Sequence, residues 1–514
     1  MRFLRFALPL VLLAAACTTT TTATRTADGP AHFRILQIND VYKIEGLEGG
    51  KSGGLARVRT LRKHLESDGT PLLVLHGGDA IYPSVMSKYL DGKAMIDVMN
   101  LLDGDAAKRD ERLIVTFGNH EFDNKNPQVL LDRLAESQFV WVGTNTRWCN
   151  PACDRVLPHT TDIVIHEIGG TKVAVFGILY PMKKAYEQST DVIEAALDAV
   201  QIARGQGARV VIALTHQDMA DDVTMLRNVL GIDLVIGGHD HLFLQQRVDG
   251  KWITKADADA KSVIVYDVHY EPGRGIRTVP LRVVIDETIP KDAGVDARVQ
   301  TWLAELATKL GGNETLATTR NLLEGVEPAV RGRETALGNL LTDVARRRMQ
   351  TDVAVLNGGS IRINDNIPPG PITKYDMEGI FYYTNTLVAF TATGQQLLDL
   401  LRHGVSRADA GDGRFLQVSG VSFAYSKQGD SFVVNPEDVK IGGQPLDPAK
   451  QYTVATTDYV YLQGTEDGFD LFSDANRPPK LNESREADFR KTVEEFLRNA
   501  GTVDVSVEGR IVRK

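Results

Sequence analysis

Cysteine is scarce in this chain: three residues among 514, at positions 17, 149 and 153. That number excludes a scaffold held by many disulfides, and it excludes a four-thiolate metal site. Long apolar runs are also lacking beyond the first seventeen residues, so no transmembrane helix of ~20 apolar residues is expected. Positive charge is not in excess. The formal net charge is −9 and the sequence pI is about 5.7. Nucleic acid, which requires a basic face, is disfavoured as a partner. A small anionic substrate is not, because one local cation site can override the bulk field. No short internal repeat is present. What remains is an ordinary globular composition, 43% apolar and 24% charged, in a chain too long for one core of ~250–300 residues. Two domains are expected.

Residues 1–17, "MRFLRFALPLVLLAAAC", carry Arg2 and Arg5, an apolar stretch and small residues before Cys17. This pattern is a secretion signal, too short to span a bilayer. The run "LAAAC" also resembles a bacterial lipoprotein signal, which implies lipidation of Cys17 and anchoring to a bacterial membrane at the periplasm or cell surface. The Thr-rich stretch over 18–30 reads as a flexible tether. In an exported chain, Cys149 and Cys153 of "CNPAC" are expected to close a small disulfide loop.

From residue 33, five segments share one design: "FRILQIND", "PLLVLHGGD", "RLIVTFGNHEFD", "ARVVIALTHQD" and "IDLVIGGHDH". Each is a Val/Ile/Leu-rich strand that ends in a polar cluster. Helical patterns such as "NPQVLLDRLAES" separate them, which predicts α/β layers. In such folds ligands bind beyond the carboxyl ends of the strands, so the five clusters should converge. They would bring together Asp40, Asp79, Asn119, His120, Asp123, His216, His239 and His241. Carboxylates, imidazoles and an amide carbonyl suit Zn, Mn, Mg, Co or Fe. Two such ions ~3.5–4 Å apart can clamp an in-line displacement at phosphorus. A helix over 296–310 then leads to a second domain near residue 316, where the strand "DVAVLNGGSIR" runs into a Gly-rich loop.

The blocks "ND", "GGD", "GNHEFD", "LTHQD" and "GGHDH" resemble those of the calcineurin-like metallophosphoesterases. "RETALGNL", "LNGGSIR", "FLQVSG" and "TEDGF" resemble the C-terminal domain of the 5'-nucleotidase family, which includes UDP-sugar hydrolases and 2',3'-cyclic phosphodiesterases. The resemblance implies a four-layer α/β sandwich with flanking helices over 31–290, a linker helix over 291–315, and a smaller α+β substrate-binding domain over 316–514. It also implies two divalent metal ions. Asp79 would bridge them; Asn119, His216 and His239 would complete one site, and Asp40 and His241 would serve the other. His120, held by Asp123, would stabilise charge on the phosphate. The implied reaction is attack by metal-bound hydroxide on a nucleoside 5'-monophosphate, with nucleotide sugars or cyclic nucleotides as further substrates. A swing of the second domain about the linker is implied as well.

One block departs from the family. Its usual Asp-x-His reads "DVY" here, with Tyr42 in place of the histidine. Either water or Tyr42 itself fills the place, or Tyr82, three residues after Asp79, serves as a tyrosinate ligand like that of the purple acid phosphatases. In the second domain the resemblance assigns Arg333 and Arg362 to phosphate or ribose, Asn357 to the Gly-rich loop, Tyr383 and Tyr461 to a base sandwich, and Asp467 to the ribose or base. "TEDG" and "YYTN" differ from the usual family blocks and leave a sugar-phosphate phosphatase, another phosphomonoesterase or a non-catalytic nucleotide-binding protein as alternatives.

Overall fold

A computed structural model describes residues 29–514, apart from Pro151 and Asn482. The signal, Cys17 and most of the tether lie outside the described residues. No helix among the described residues is long and apolar enough to cross a membrane.

Two sheets dominate the first domain. In one, Ala31–Ile38 pairs in parallel with Leu72–His76, then Asp110–Thr116 and Phe139–Val142 follow, and Ser262–Glu271 runs antiparallel on the other side. In the other, Thr171–Leu179, Val210–His216 and Leu234–Gly237 are parallel neighbours. Val, Ile and Leu fill these strands because both faces of each are covered. Phe33, Ile35, Leu73 and Ile114 from one sheet meet Val175, Ile212, Leu214 and Ile236 from the other in a common core. Helices Leu55–Glu66 and Pro127–Glu136 cover the outer face of the first sheet, and Val192–Gly205 and Met219–Asn228 that of the second. The expected four layers are therefore present.

Parallel pairing has a functional consequence. Within each sheet it brings the carboxyl ends of the parallel strands to one edge, and the bond from Gln37 to the Gly237 carbonyl shows that the two edges meet.

The connecting helix spans Ala293–Lys309 and buries Val295, Val299, Trp302 and Leu306 against the first domain. Trp302 Nε1 and the Arg298 guanidinium both bond Asp97. The helix thus belongs structurally to the first domain. The second domain is built on Leu416–Ser419, Val353–Asn357, Gln451–Thr457 and Thr386–Thr393. Helices Ala336–Met349 and Phe489–Ala500 pack on one face of that sheet, and Gly394–Val405 on the other. Cys149 and Cys153 are joined in a disulfide.

Candidate active site

Four of the residues at the strand ends hold left-handed backbone: Asp40 at φ 51°, Asp79 at 55°, His239 at 82° and His241 at 59°. Non-glycine residues rarely adopt it, and such positions persist where surrounding structure imposes them. The loops are also pressed together. A Cβ on Gly118 would stand 2.1 Å from Asp79 Oδ1, and one on Gly238 would stand 2.3 Å from the Gly77 carbonyl. Glycine at these two positions lets three loops meet around Asp79.

The donors converge as a result. One oxygen or nitrogen each from Asp40, Asp79 and His216 lie within 4.8 Å of one another, all buried. His216 Nε2 is 3.4 Å from Asp79 Oδ2 and 3.1 Å from Asn119 Oδ1. Its Nδ1 is 2.7 Å from the Gly77 carbonyl, which can only accept, so Nδ1 carries a hydrogen and Nε2 is the nitrogen that faces the cluster. His239 packs its ring 5.0 Å from that of His216. Burial and His216 push its pKa down to about 4, which keeps it neutral and able to ligate. On the other side, His241 Nε2 is 3.4 Å from Asp40 Oδ1. Burial would raise the Asp40 pKa, but His241 outweighs it and holds the carboxylate ionised.

Tyr42 stands inside this second group. Its hydroxyl is 2.8 Å from Asp79 Oδ2, 2.9 Å from His241 Nε2 and 3.2 Å from Asp40 Oδ1. The phenolic oxygen thus lies within hydrogen-bond distance of two carboxylates and one imidazole nitrogen at once. Ligands bound at about 2.0–2.2 Å sit roughly 3.0–3.5 Å apart, close to the spacings seen in both groups. The residues therefore fit two cations, with Tyr42 oxygen standing at ligand distance from the donors of one. The Tyr82 hydroxyl accepts from Asn124 at 3.0 Å.

His120 borders the cluster. Its Nδ1 is 2.6 Å from Asp123, and Lys184 bonds the other Asp123 oxygen at 3.1 Å. Burial lowers the His120 pKa, but Asp79 and Asp123 outweigh it and raise it overall.

Several further residues position the site. Buried Glu121 accepts the backbone N–H groups of Asp79, Ala80, Ile81 and Gly118 at 2.6–3.0 Å, which fixes the Asp79 turn. Lys255 is fully buried. Its ammonium bonds the carbonyls of Gln217 and Gly238 and pairs with Asp240 at 2.5 Å and Asp222 at 3.2 Å. It thereby ties the His216 loop to the "GGHDH" loop. Glu327 reaches across from the second domain to within 3.4 Å of His241 Nδ1.

The second domain contributes a cavity of about 640 Å³ lined by Arg331, Asn357, Arg362, Tyr383, Tyr459 and Asp467. Asn357 donates to Asp467 at 3.2 Å, and Arg362 lies 5.8 Å over the Tyr383 ring. Arg362 also lines a neighbouring space bounded by Tyr42, His120, His241 and Glu327. Two expected residues are not in the cavity. Arg333 turns outward and is paired with both Glu324 oxygens, and Arg331 takes the place in the wall. Tyr461 is buried in the hydrophobic core with its hydroxyl on the Pro478 carbonyl, and the aromatic wall is Tyr459. The helix Asp458–Gln463 explains the exchange, since residues two apart point to different faces.

A two-sheet sandwich with carboxylates, imidazoles and an amide gathered at its strand ends defines a metallophosphoesterase. Residues 33–243 match the family model "Calcineurin-like phosphoesterase", and residues 315–474 match "5'-nucleotidase, C-terminal domain". The chain belongs to the 5'-nucleotidase family of calcineurin-like phosphoesterases, which are metal-dependent phosphoric ester hydrolases. It is 26% identical to the trifunctional nucleotide phosphoesterase YfkN of Bacillus subtilis, over 89% of this chain but only 34% of that protein's length. It is 25% identical to the snake venom 5'-nucleotidase of Gloydius brevicauda, over 98% of this chain and 92% of the relative. Among solved structures, a 5'-nucleotidase precursor from Thermus thermophilus superposes with a TM-score of 0.73 at 24% identity, over 94% and 99% of the two chains. A sulfate thiohydrolase from Thermus thermophilus superposes with a TM-score of 0.65 at 22% identity, over 90% and 83%.

Proposed function

We propose that this chain is an exported, lipid-anchored enzyme that hydrolyses nucleoside 5'-monophosphates using two divalent metal ions. The observation that carries the reading is the position of Arg362, which lines both the cavity with Tyr383 and Tyr459 and the space beside His120 and His241. A base stacked in the cavity would leave its phosphate beside the metal donors. Asp79 would bridge the ions, with Asn119, His216 and His239 on one and Asp40, His241 and Tyr42 around the other. Ions held there supply Lewis-acid activation of water and of phosphoryl oxygen.

The chain's own groups do the rest. His120, oriented by Asp123, stabilises negative charge that develops on the phosphoryl oxygens. Arg362 and Arg331 hold the phosphate end and orient it for attack. Asp467, held by Asn357, offers an acceptor to ribose hydroxyls. The names of the Bacillus and venom relatives support a nucleotide as substrate. The apolar signal ending at Cys17 supports export and anchoring.

The test is a hydrolysis panel with added Mn or Zn: nucleoside 5'-monophosphates, a UDP-sugar, 2',3'-cyclic nucleotides and sugar phosphates. The expected result is highest kcat/KM on a nucleoside monophosphate. Preference for sugar phosphates would move the assignment to another phosphomonoesterase. Nucleotide binding without turnover in any metal would make the chain a binding protein.

A further inference from the structure

A second group of metal-binding side chains lies at the other end of the first strand. His32 on Ala31–Ile38 is the direct cross-strand partner of His269 on Ser262–Glu271. Asp267, two residues before His269, shares its face of the sheet. Tyr266, Val268 and Tyr270 point into the core between them, which fixes the three polar side chains outward on two interior strands. His32 Nε2 is 2.5 Å from Asp267 Oδ1, and His269 Nε2 is 3.6 Å from Asp267 Oδ2. One ligand atom from each lies within 4.8 Å of the others. Arg34, the cross-strand neighbour of Asp267, directs its hydrogen bonds to both oxygens of Asp68, and the short contact of Asp267 is with His32.

We propose that His32, Asp267 and His269 form a binding site for a divalent ion of borderline softness, such as Zn or Ni. Two imidazoles and one carboxylate are the donor set those ions prefer, and Mg and Ca prefer all-oxygen sites. The two rings stack at 4.3 Å with planes 3° apart. Each must tilt about its Cβ–Cγ bond to aim at one ion, a soft torsion for histidine. Three protein donors at an exposed position leave at least one coordination place for water, as in open three-ligand sites. His32 and Ile38 lie near opposite ends of one strand, roughly 20 Å apart at ~3.3 Å per residue, and Asp40 follows beyond Ile38. The site is therefore separate from the catalytic donors.

The test uses the full chain with its catalytic centre loaded with Mn, and compares wild type with the His32→Ala/His269→Ala double variant. Both are equilibrated with Zn or Ni, desalted and assayed for metal by elemental analysis. Exchange at the catalytic centre contributes equally to both proteins, so the difference reads the strand site. Wild type is expected to take up one equivalent more than the variant, with phosphoesterase activity equal in the two. Asp267→Asn serves as the milder variant if the double variant does not fold, and it is expected to weaken uptake at least several-fold. Equal metal uptake by wild type and variants would overturn the proposal, whatever the outcome for nucleotide hydrolysis.

Discussion

The hydroxyl of Tyr42 lies 2.8 Å from the carboxylate of Asp79, the residue proposed to bridge two metal ions. A phenol in this position is a weaker ligand than imidazole, yet its oxygen occupies ligand distance. Tyr42→His is expected to raise metal retention against a chelator about 10- to 100-fold, and Tyr42→Phe to lower it by a similar factor, by analogy with the loss of groups that tune metal ligands. Elemental analysis after graded chelator dialysis reads both. Unchanged retention in Tyr42→Phe would place the phenol outside the coordination sphere.

His120 and Asp123 form a unit beside the donors, 2.6 Å apart. Proton-transfer or charge-stabilising groups of this kind contribute about 10²–10⁴-fold. His120→Asn is therefore expected to lower kcat by that factor and leave metal content unchanged. Asp123→Asn, which only loosens the imidazole, should cost less. A loss of metal in His120→Asn would show that the residue acts by holding the centre together.

Lys255 has no counterpart in any motif, yet it ties the two histidine loops. Lys255→Met would leave Asp222 and Asp240 without their cation, and breaking a buried pair costs about 3–5 kcal/mol. A lowered Tm is expected, together with faster loss of metal from the folded protein. The second measurement separates loop positioning from bulk stability: a variant with lowered Tm and wild-type metal affinity would show that Lys255 serves the fold alone.

Glu187 is fully buried on Glu187–Ser189, and among the described residues neither carboxyl oxygen has a hydrogen-bond partner. Burial pushes its pKa up to about 8, only partly countered by Lys184. A raised carboxyl pKa means that the folded state favours the neutral acid. The fold is unaffected below the unfolded value near 4.5 and loses stability as pH rises from there to about 8. The loss reaches the order of 3 kcal/mol by pH 7. Glu187→Gln should flatten the fall of Tm between pH 5 and 8. An unchanged slope would show that Glu187 is ionised and satisfied by a group such as water.

The donor cluster was legible in sequence because each ligand follows an apolar strand, and parallel pairing forces such ends to one edge. Asp40, Asp79 and His216 need nothing more than that rule. Tyr42 was legible as a departure and as one of several candidate replacements for the histidine; only the fold shows its hydroxyl between Asp40, Asp79 and His241. Lys255 and Glu327 were not legible, and Glu121, though inside the block "GNHEFD", showed no role there. Their roles depend on tertiary contacts with backbone carbonyls and amides, or on a second domain, and no spacing records these. Arg333 and Tyr461 were misplaced for a local reason. Each lies two residues from the side chain that faces the cavity, and a family block does not resolve which face a residue takes.

That exchange yields the sharpest test of the substrate cavity. Tyr459 and Tyr383 line it, and Tyr461 is core. Stacking on an aromatic is worth about 1–3 kcal/mol per base, so Tyr383→Ala and Tyr459→Ala should each lower kcat/KM for a nucleotide roughly 5- to 150-fold. Neither should affect hydrolysis of a small aryl phosphate that lacks a base. Arg331→Ala and Arg362→Ala should lower kcat/KM for both substrates if they hold the phosphate end as proposed. Arg333→Ala removes an exposed pair with Glu324 worth under about 1 kcal/mol and should leave kinetics at wild-type values. If Arg333→Ala and Tyr461→Phe impaired catalysis while Arg331→Ala and Tyr459→Ala did not, the cavity residues implied by the family resemblance would stand against the geometry. Selective loss of nucleotide over aryl phosphate in the two cavity tyrosines would fix the second domain as the base-reading half of the enzyme.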